Sequence, residues 1–238
     1  MKNSADSQRC RWHPVADVSA LHGAVAARTL AAADRAVRAR GRFVVVLAGG
    51  NTPRGAYELL RMAQADWSAW HVYFGDERCT AHDDPLRNSR MAESAWLEHV
   101  PIPRRQVHEI PAELGPNEAA KRYASVLEPV GEFDLVLFGL GEDGHTGSLF
   151  AGHDPGCGAD ASSMLPVFDA PKPPPHRVTM SARRFSRTAE AIFMVAGAEK
   201  RDAVRRWRAG ESIPARAIVP KAAVDVFVEA ASLGPLPP

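Results

Sequence analysis

The apolar residues of this chain form short continuous runs that alternate with longer stretches where apolar residues recur every three or four positions. The most regular runs are rich in β-branched and aromatic residues, and they span residues 43–48, 71–74, 133–141 and 191–197. An unbroken apolar run predicts a strand buried on both faces, as in a parallel sheet. Residues 106–110 predict a further short strand, and the segment up to about Asp17 predicts a leading strand or an extended arm.

The stretches between these runs carry the pattern of amphipathic helices. The first spans Val18–Arg40, and Gly41 ends it. The others span residues 55–63, 89–100, 117–130 and 198–207, with Asn117 in the position of an N-cap. Strands that alternate with helices predict an α/β fold with a doubly wound, mostly parallel sheet flanked by helices. We expect a single domain over residues 1–238, ending in a short proline-rich tail.

Composition and charge exclude several classes of partner. The chain has 238 residues, with 29 basic and 28 acidic side chains and a net charge of +1, so no overall field attracts nucleic acid or an anionic membrane. Its three cysteines, Cys10, Cys79 and Cys157, are odd in number and far apart, which predicts a reducing compartment without a disulfide framework. No signal-like run or membrane-length apolar stretch is present. We therefore expect a cytoplasmic protein.

Three segments that follow predicted strands are candidates for a ligand site: residues 49–54 (GGNTPR), 75–78 (GDER) and 139–150 (GLGEDGHTGSLF). In a doubly wound sheet, ligands bind beyond the carboxyl ends of the strands. We therefore expect the chemistry of this protein to reside in these segments.

The first of these segments has the features of a phosphate-binding turn. Paired glycines end a strand, and Pro53 suits the first turn of a helix, whose N-terminus offers free backbone N–H groups and partial positive charge. The candidate ligands are Gly49, Gly50, Asn51, Thr52 and Arg54. The alternative is a tight strand-to-helix turn in which Thr52 only caps the helix. Because the Walker and G-x-G-x-x-G patterns are absent, a nucleotide is not indicated.

The second segment places Asp76, Glu77 and Arg78 at the end of a strand. Arg78 can hold a carboxylate, a phosphate or a developing oxyanion, because its guanidinium donates hydrogen bonds in one plane. Asp76 is a candidate ligand beside it. The alternative is a surface ion pair after an edge strand. Asn88 is expected to cap the following helix.

The third segment contains the strongest candidate for catalysis, His145. Glycine at positions 139, 141, 144 and 147 permits close approach of the backbone to a ligand. Histidine is the side chain whose ordinary pKa suits proton transfer near neutral pH. Asp143 either caps a helix that begins here or orients the imidazole. The alternative for any single histidine is a packing or surface role.

Two further cations, Lys200 and Arg177, are candidates for binding phosphate, although a solvated surface role is the usual alternative for each. A metal site has little support, since His145, His153 and Cys157 share a region without metal-ligand spacing. The G-x-S-x-G pattern of serine hydrolases is also missing. We therefore expect neither a metal nor a cofactor.

Together, these segments resemble the 6-phosphogluconolactonase family. The resemblance runs in the family's order from about residue 43 to residue 200, and residues 75–103 and 139–150 carry its most specific motifs. It implies the Rossmann-like fold shared with glucosamine-6-phosphate deaminase and ribose-5-phosphate isomerase. It also implies hydrolysis of 6-phospho-D-glucono-1,5-lactone to 6-phospho-D-gluconate, the second step of the oxidative pentose phosphate pathway. The expected partner is this sugar-phosphate lactone, and the expected assembly is a monomer or weak homodimer.

The resemblance also implies roles for individual residues. His145 matches the histidine that activates water, and Asp143 lies in the same motif. Arg78 matches an arginine that engages ligand charge, whereas Lys200 and residues 49–54 match the phosphate side. The sequence departs from the family pattern at four positions, with Asn51 for serine, Ser186 for asparagine, Val226 for tryptophan and Glu229 for aspartate.

Two other functions compete with lactone hydrolysis. One is a sugar-phosphate isomerase or deaminase of the same fold. The deaminase pattern has a glutamate where this chain has Phe150, and a tyrosine in place of Arg78, so both positions favour the lactonase. The other is a non-catalytic sugar-phosphate-binding regulator, which we would expect to lack His145.

Overall fold

The fold is described by a computed structural model for residues 8–234. The helices are Val18–Arg40 (α1), Asn51–Leu60 (α2), Asn88–Ala95 (α3), Pro116–Leu127 (α4), Ala182–Phe185 (α5), Arg201–Arg208 (α6) and Ala230–Leu233 (α7). The strands are Cys10–Val15 (β1), Phe43–Leu47 (β2), Trp70–Phe74 (β3), Asp76–Arg78 (β4), Val107–His108 (β5), Phe133–Gly139 (β6), Met164–Val167 (β7), Arg177–Met180 (β8), Thr188–Val195 (β9) and Val224–Glu229 (β10). Within this part of the chain, no helix is long and apolar enough to cross a membrane.

Seven strands form one parallel sheet in the order β1-β10-β9-β6-β2-β3-β5. The chain runs from β2 outwards to β3 and β5 on one side, and then to β6, β9 and β10 on the other. The direction of winding therefore reverses between β2 and β6, where Val45 pairs with Leu135. A crevice forms beyond the carboxyl ends of the strands at such a switch point. The predicted α/β, doubly wound and mostly parallel fold is confirmed.

A second, antiparallel sheet has the order β4-β8-β7 and lies outside the sequence prediction. Its strands have three or four residues, and β7 lies in a polar segment rich in glycine and proline that predicts a loop. Pairing within this sheet places Arg78 opposite Arg177, which is 99 positions away in the sequence. Such strands are stabilised by pairing with distant segments, so their own sequence carries little signal.

The buried surface of the large sheet is covered by helices and by aromatic side chains. Helix α1 begins after Asp17, whose side chain accepts a hydrogen bond from Ala20 N, and ends at Gly41 in the left-handed conformation, as predicted. Trp70 packs edge-on against Phe43, with ring centroids 4.6 Å apart. Phe43 and Trp70 are the first residues of β2 and β3, so this contact packs the core at the amino ends of these two strands.

Several predicted boundaries are wrong. Helix α4 begins at Pro116, and its N-cap is Gly115 rather than Asn117. Gly115 has a φ of 83°, and no side chain caps the helix. Asn88 is the first residue of α3 rather than its cap. No helix begins at Asp143, where the chain forms turns instead. Strand β10 has no counterpart among the predicted strands. The proposed tail after Gly234 and the first seven residues of the leading segment lie outside the described residues.

Candidate active site

A cleft of about 370 Å³ opens at the carboxyl ends of the central strands, next to the switch point between β2 and β6. It is bordered by all three segments selected from the sequence. The predicted residues that line it are Gly49, Gly50, Asn51, Thr52, Asp76, Arg78, His145, Arg177 and Lys200. Asp143 stands behind His145, whereas Arg54 does not line the cleft. The structure thus brings together residues that are widely separated in sequence.

His145 and Asp143 form a hydrogen-bonded pair at the edge of this cleft. His145 Nδ1 lies 2.5 Å from Asp143 Oδ1, and the imidazole is only 16% exposed. Burial alone raises the pKa of Asp143, but the hydrogen bond and charge of His145 outweigh burial and hold that pKa below its usual range. Asp143 is therefore a carboxylate near neutral pH and fixes the proton on Nδ1. This arrangement leaves Nε2 as the nitrogen that can accept a proton.

The pair requires glycine at position 141. A Cβ atom there would lie 2.0 Å from His145 Nδ1 and 2.7 Å from Asp143 Oδ1. The backbone of Gly141 also donates a hydrogen bond to the carbonyl of His145 at 2.8 Å. On the other side, the ring of Phe150 packs 4.9 Å from the imidazole. The turn therefore holds His145 in place through packing as well as hydrogen bonds.

Asp76 connects the three loops that border the cleft. Its Oδ2 accepts a hydrogen bond from Ser148 Oγ at 2.6 Å, and its Oδ1 accepts one from Asn88 Nδ2 at 3.1 Å. Asn88 in turn packs so closely on Gly49 that a Cβ at position 49 would lie 1.8 Å from its Oδ1. Both oxygens of Asp76 are thus used within the protein. This fits a role in positioning the loops at least as well as the predicted ligand role.

Glu77 is fully buried beneath the cleft and supports the start of helix α3. Its carboxylate accepts hydrogen bonds from the backbone N–H groups of Arg78, Asn88 and Ser89, at 2.9, 2.7 and 2.8 Å. It also lies 3.6 Å from the guanidinium of the equally buried Arg87. Burial raises the pKa of Glu77, although these hydrogen bonds and the Arg87 charge oppose the increase. Glu77 therefore fixes its neighbours Asp76 and Arg78 relative to α3.

The two predicted arginines differ in how much of each guanidinium is already engaged. Arg78 donates through Nη1 to the carbonyl of Leu86, while its buried Nε has no hydrogen-bond partner among residues 8–234. Arg177 donates through Nε to Pro174 O at 3.0 Å and through Nη2 to Lys172 O at 2.8 Å. Arg177 therefore braces the loop before β8, and Arg78 retains more capacity to contact a ligand.

The part of the cleft that the start of α2 and Lys200 line is suited to an anion. Helix α2 starts after Gly50, which has a φ of 103° and provides no side-chain cap, so Thr52 does not cap the helix. Gly50, Asn51 and Thr52 line the cleft, and backbone N–H groups at the start of a helix lack partners within the helix, so they are available to an anion. Lys200, next to α6, adds a cation that is 17% exposed. Arg54 points away and pairs with Glu58 at 3.0 Å, so the geometry does not support its predicted role.

Sequence reasoning missed several residues of the cleft. Lys172 lines it from the proline-rich loop, and Asn88 lines it from the start of α3. Thr146 also lines it, and its hydroxyl donates to Gly139 O at 2.9 Å. The motif at residues 139–150 contained a signal for Thr146 and Ser148, but no local pattern distinguished Lys172 from a surface lysine. Among the residues described, no group of three or more histidine, cysteine, aspartate or glutamate side chains could hold a metal ion.

Comparisons with known proteins agree with this arrangement. The sequence profile of the family described as glucosamine-6-phosphate isomerases/6-phosphogluconolactonase matches residues 16–227. A curated 6-phosphogluconolactonase from Mycobacterium tuberculosis is 36% identical over 220 residues, which cover 85% of this chain and 89% of the relative.

Solved structures extend the comparison to the fold. The crystal structure of 6-phosphogluconolactonase from Thermotoga maritima superposes with a TM-score of 0.85 at 24% identity, covering 93% of this chain and 100% of that one. A monomeric glucosamine-6-phosphate deaminase superposes with a TM-score of 0.82 at 19% identity, covering 93% and 98% of the two chains. At these identities the likeness establishes the fold alone. With the profile match and the 36% identity, however, the family is clear, and this chain belongs to the glucosamine-6-phosphate isomerase/6-phosphogluconolactonase family.

Proposed function

We propose that this protein hydrolyses 6-phospho-D-glucono-1,5-lactone to 6-phospho-D-gluconate in the oxidative pentose phosphate pathway. The observation that carries the proposal is the His145–Asp143 pair, which stands at a cleft that the first turn of α2 and Lys200 also line. The names of the curated relatives, 6-phosphogluconolactonases at 36% identity over most of the chain, support the same reaction.

The chemistry follows from the position of His145. Its Nε2 accepts a proton from a water molecule as the water oxygen attacks the lactone carbonyl carbon C1, and Asp143 stabilises the imidazolium that forms. When the tetrahedral intermediate collapses, the bond between C1 and the ring oxygen breaks, and the imidazolium returns the proton to that oxygen. A lactone is an activated ester, so these reaction steps need neither a covalent intermediate nor a metal.

Two groups of donors would stabilise the charges on the substrate. The first turn of α2 and Lys200 would bind the phosphate, which fixes the ring so that C1 reaches His145. Arg78 and the backbone N–H groups of residues 139–147, the glycine-rich turn, are the candidates for stabilising the anionic carbonyl oxygen. Arg78 lines the same cleft, and its planar guanidinium can donate hydrogen bonds either to a phosphate or to an oxyanion.

The competing deaminase or isomerase function finds no support at the residues that would distinguish it. Phe150 stands where the deaminase pattern has a glutamate, and its ring packs against His145 and below Arg177. That position therefore supplies no carboxylate for proton transfer to a sugar. The resemblance in fold to a deaminase is equally compatible with either reaction, because the two families share this scaffold.

The phosphate contact is tested by replacing Lys200. We expect Lys200→Ala to raise KM for freshly prepared 6-phosphogluconolactone by about tenfold with kcat little changed, because one charged contact to the phosphate contributes about 1.4 kcal/mol to binding. Initial rates can be followed by coupling to 6-phosphogluconate dehydrogenase. Lys121→Ala, an exposed lysine of α4, is the matched control and should behave like the wild type. An unchanged KM for Lys200→Ala would remove this residue from the phosphate site.

We also infer that the chain functions as one cytoplasmic domain and as a monomer or weak homodimer. The support is a hydrophobic core that continues from β1 to β10, together with the balanced charge and the three unpaired cysteines among the described residues.

A further inference from the structure

A carboxylate of the glycine-rich turn stands between two lysines at the mouth of the cleft. Glu142 Oε1 lies 3.5 Å from Lys172 Nζ and 4.0 Å from Lys200 Nζ. The three residues come from different parts of the fold, since Glu142 follows β6, Lys172 precedes β8 and Lys200 follows β9. A single carboxylate oxygen thus lies near both ammonium groups, and Lys200 Nζ has a second acidic neighbour in Glu199, whose Oε1 is 3.8 Å away.

The position of Lys172 is set by its backbone rather than by Glu142. Arg177, which is 5% exposed, donates hydrogen bonds to the carbonyls of Lys172, Pro173 and Pro174. Its guanidinium therefore fixes the segment that carries Lys172 at the rim of the cleft. The lysine side chain remains free to turn from Glu142 towards another anion.

The contact between Glu142 and the lysines is weak enough to be exchanged. Glu142 is 55% exposed and Lys172 is 47% exposed, and the two distances are at the long end of ion-pair contacts. Ion pairs between such exposed side chains contribute little to stability. A phosphate group carries more charge and more acceptor oxygens than a carboxylate, so it can displace Glu142 from both lysines.

We propose that Glu142 is a built-in competitor for the phosphate subsite, and that Lys172 is a further cation of that subsite. Without substrate, Glu142 partly neutralises Lys172 and, together with Glu199, Lys200. A sugar phosphate replaces it, whereas an uncharged sugar lactone cannot, so the contact also increases selectivity for phosphorylated ligands. This inference rests on the proposed function, because it assumes that Lys200 binds the substrate phosphate.

The test is direct binding of 6-phosphogluconate and of inorganic phosphate, measured by calorimetry at low ionic strength without turnover. Glu142→Gln should bind both about two- to fivefold more tightly than the wild type, which is the range expected for loss of one exposed ion pair. Lys172→Met, which keeps the length of the side chain, should bind both about threefold or more weakly. Glu118→Gln, which removes a carboxylate paired with Arg122 on the surface of α4, changes the net charge equally and should have no effect.

The double variant Glu142→Gln/Lys172→Met separates competition from simple repulsion. If Glu142 competes for the lysines, the change in log Kd caused by Glu142→Gln should be at most half as large once Lys172 is replaced. A tightening of the same size in both backgrounds would mean that Glu142 only repels phosphate, and would overturn the proposal. Unchanged or weaker binding by Glu142→Gln would also overturn it.

Failure of this inference can be told apart from failure of the proposed function. If the wild type binds 6-phosphogluconate and Lys200→Ala weakens that binding, the phosphate site stands, and a silent Glu142→Gln variant contradicts only the competitor role. If the wild type binds neither 6-phosphogluconate nor phosphate, the phosphate site and the competitor role are both wrong.

Discussion

Replacement of His145 by alanine is expected to lower kcat by about 10²- to 10⁴-fold, the usual contribution of a positioned general base. KM should change little, because the phosphate contacts with α2 and Lys200 remain and the imidazole acts mainly in the transition state. The loss follows from geometry, since Asp143 directs the proton to Nδ1 and leaves Nε2 for water. The measurement is the initial rate on freshly made lactone, corrected for spontaneous hydrolysis.

His153→Ala is the matched control for this experiment. His153 lies in the same loop region and is 3.6 Å from Asp169, but it does not line the cleft. Its replacement should leave kcat within about twofold of the wild type, as is usual for a surface substitution. If His145→Ala retained the wild-type kcat, the assignment of the base would be wrong, even if lactone hydrolysis itself were observed.

Replacement of Glu77 by alanine is expected to lower the free energy of unfolding by about 3–5 kcal/mol. The change leaves the buried guanidinium of Arg87 with less compensating charge. It also removes the acceptor for the backbone N–H groups of Arg78, Asn88 and Ser89. Urea unfolding followed by tryptophan fluorescence measures the effect, because Trp96 lies next to the end of α3 and reports on its packing.

A surface carboxylate provides the comparison for Glu77. Glu118 pairs with Arg122 one turn along α4 and is exposed, so Glu118→Ala should change the free energy of unfolding by less than about 0.5 kcal/mol. Equal stability of the Glu77→Ala and Glu118→Ala variants would show that Glu77 does not support this part of the site.

The parallel sheet could be predicted from sequence because its strands are buried on both faces. The runs at β2 and β6 are almost entirely apolar, and they are easily recognised because the flanking segments are rich in polar residues and glycine. Strands β4, β7 and β8 lack this property, since they are short and depend on pairing with one another. Strand β10 includes Asp225, whose buried carboxylate pairs with Arg11 of β1, so its pattern is not that of a simple apolar run.

The site was predictable where its residues are adjacent in sequence, as in the turn that holds Asp143 and His145. It was not predictable where the function of a side chain depends on distant neighbours. Arg54 has the right residue type beside a phosphate-binding turn, but its place on α2 directs it to Glu58. Lys172 has no distinguishing local pattern and reaches the cleft because Arg177 fixes its loop.

The central claim is that His145 stands within one water molecule of the reacting carbon of a substrate held by its phosphate. The most direct test is a crystal structure of the complex with 6-phospho-D-gluconate. We predict that the carboxylate carbon C1 faces His145 Nε2, either in direct contact or bridged by one water, with the phosphate between the start of α2 and Lys200. A complex in which the imidazole faces away from C1, or in which the phosphate lies outside this cleft, would contradict the mechanism.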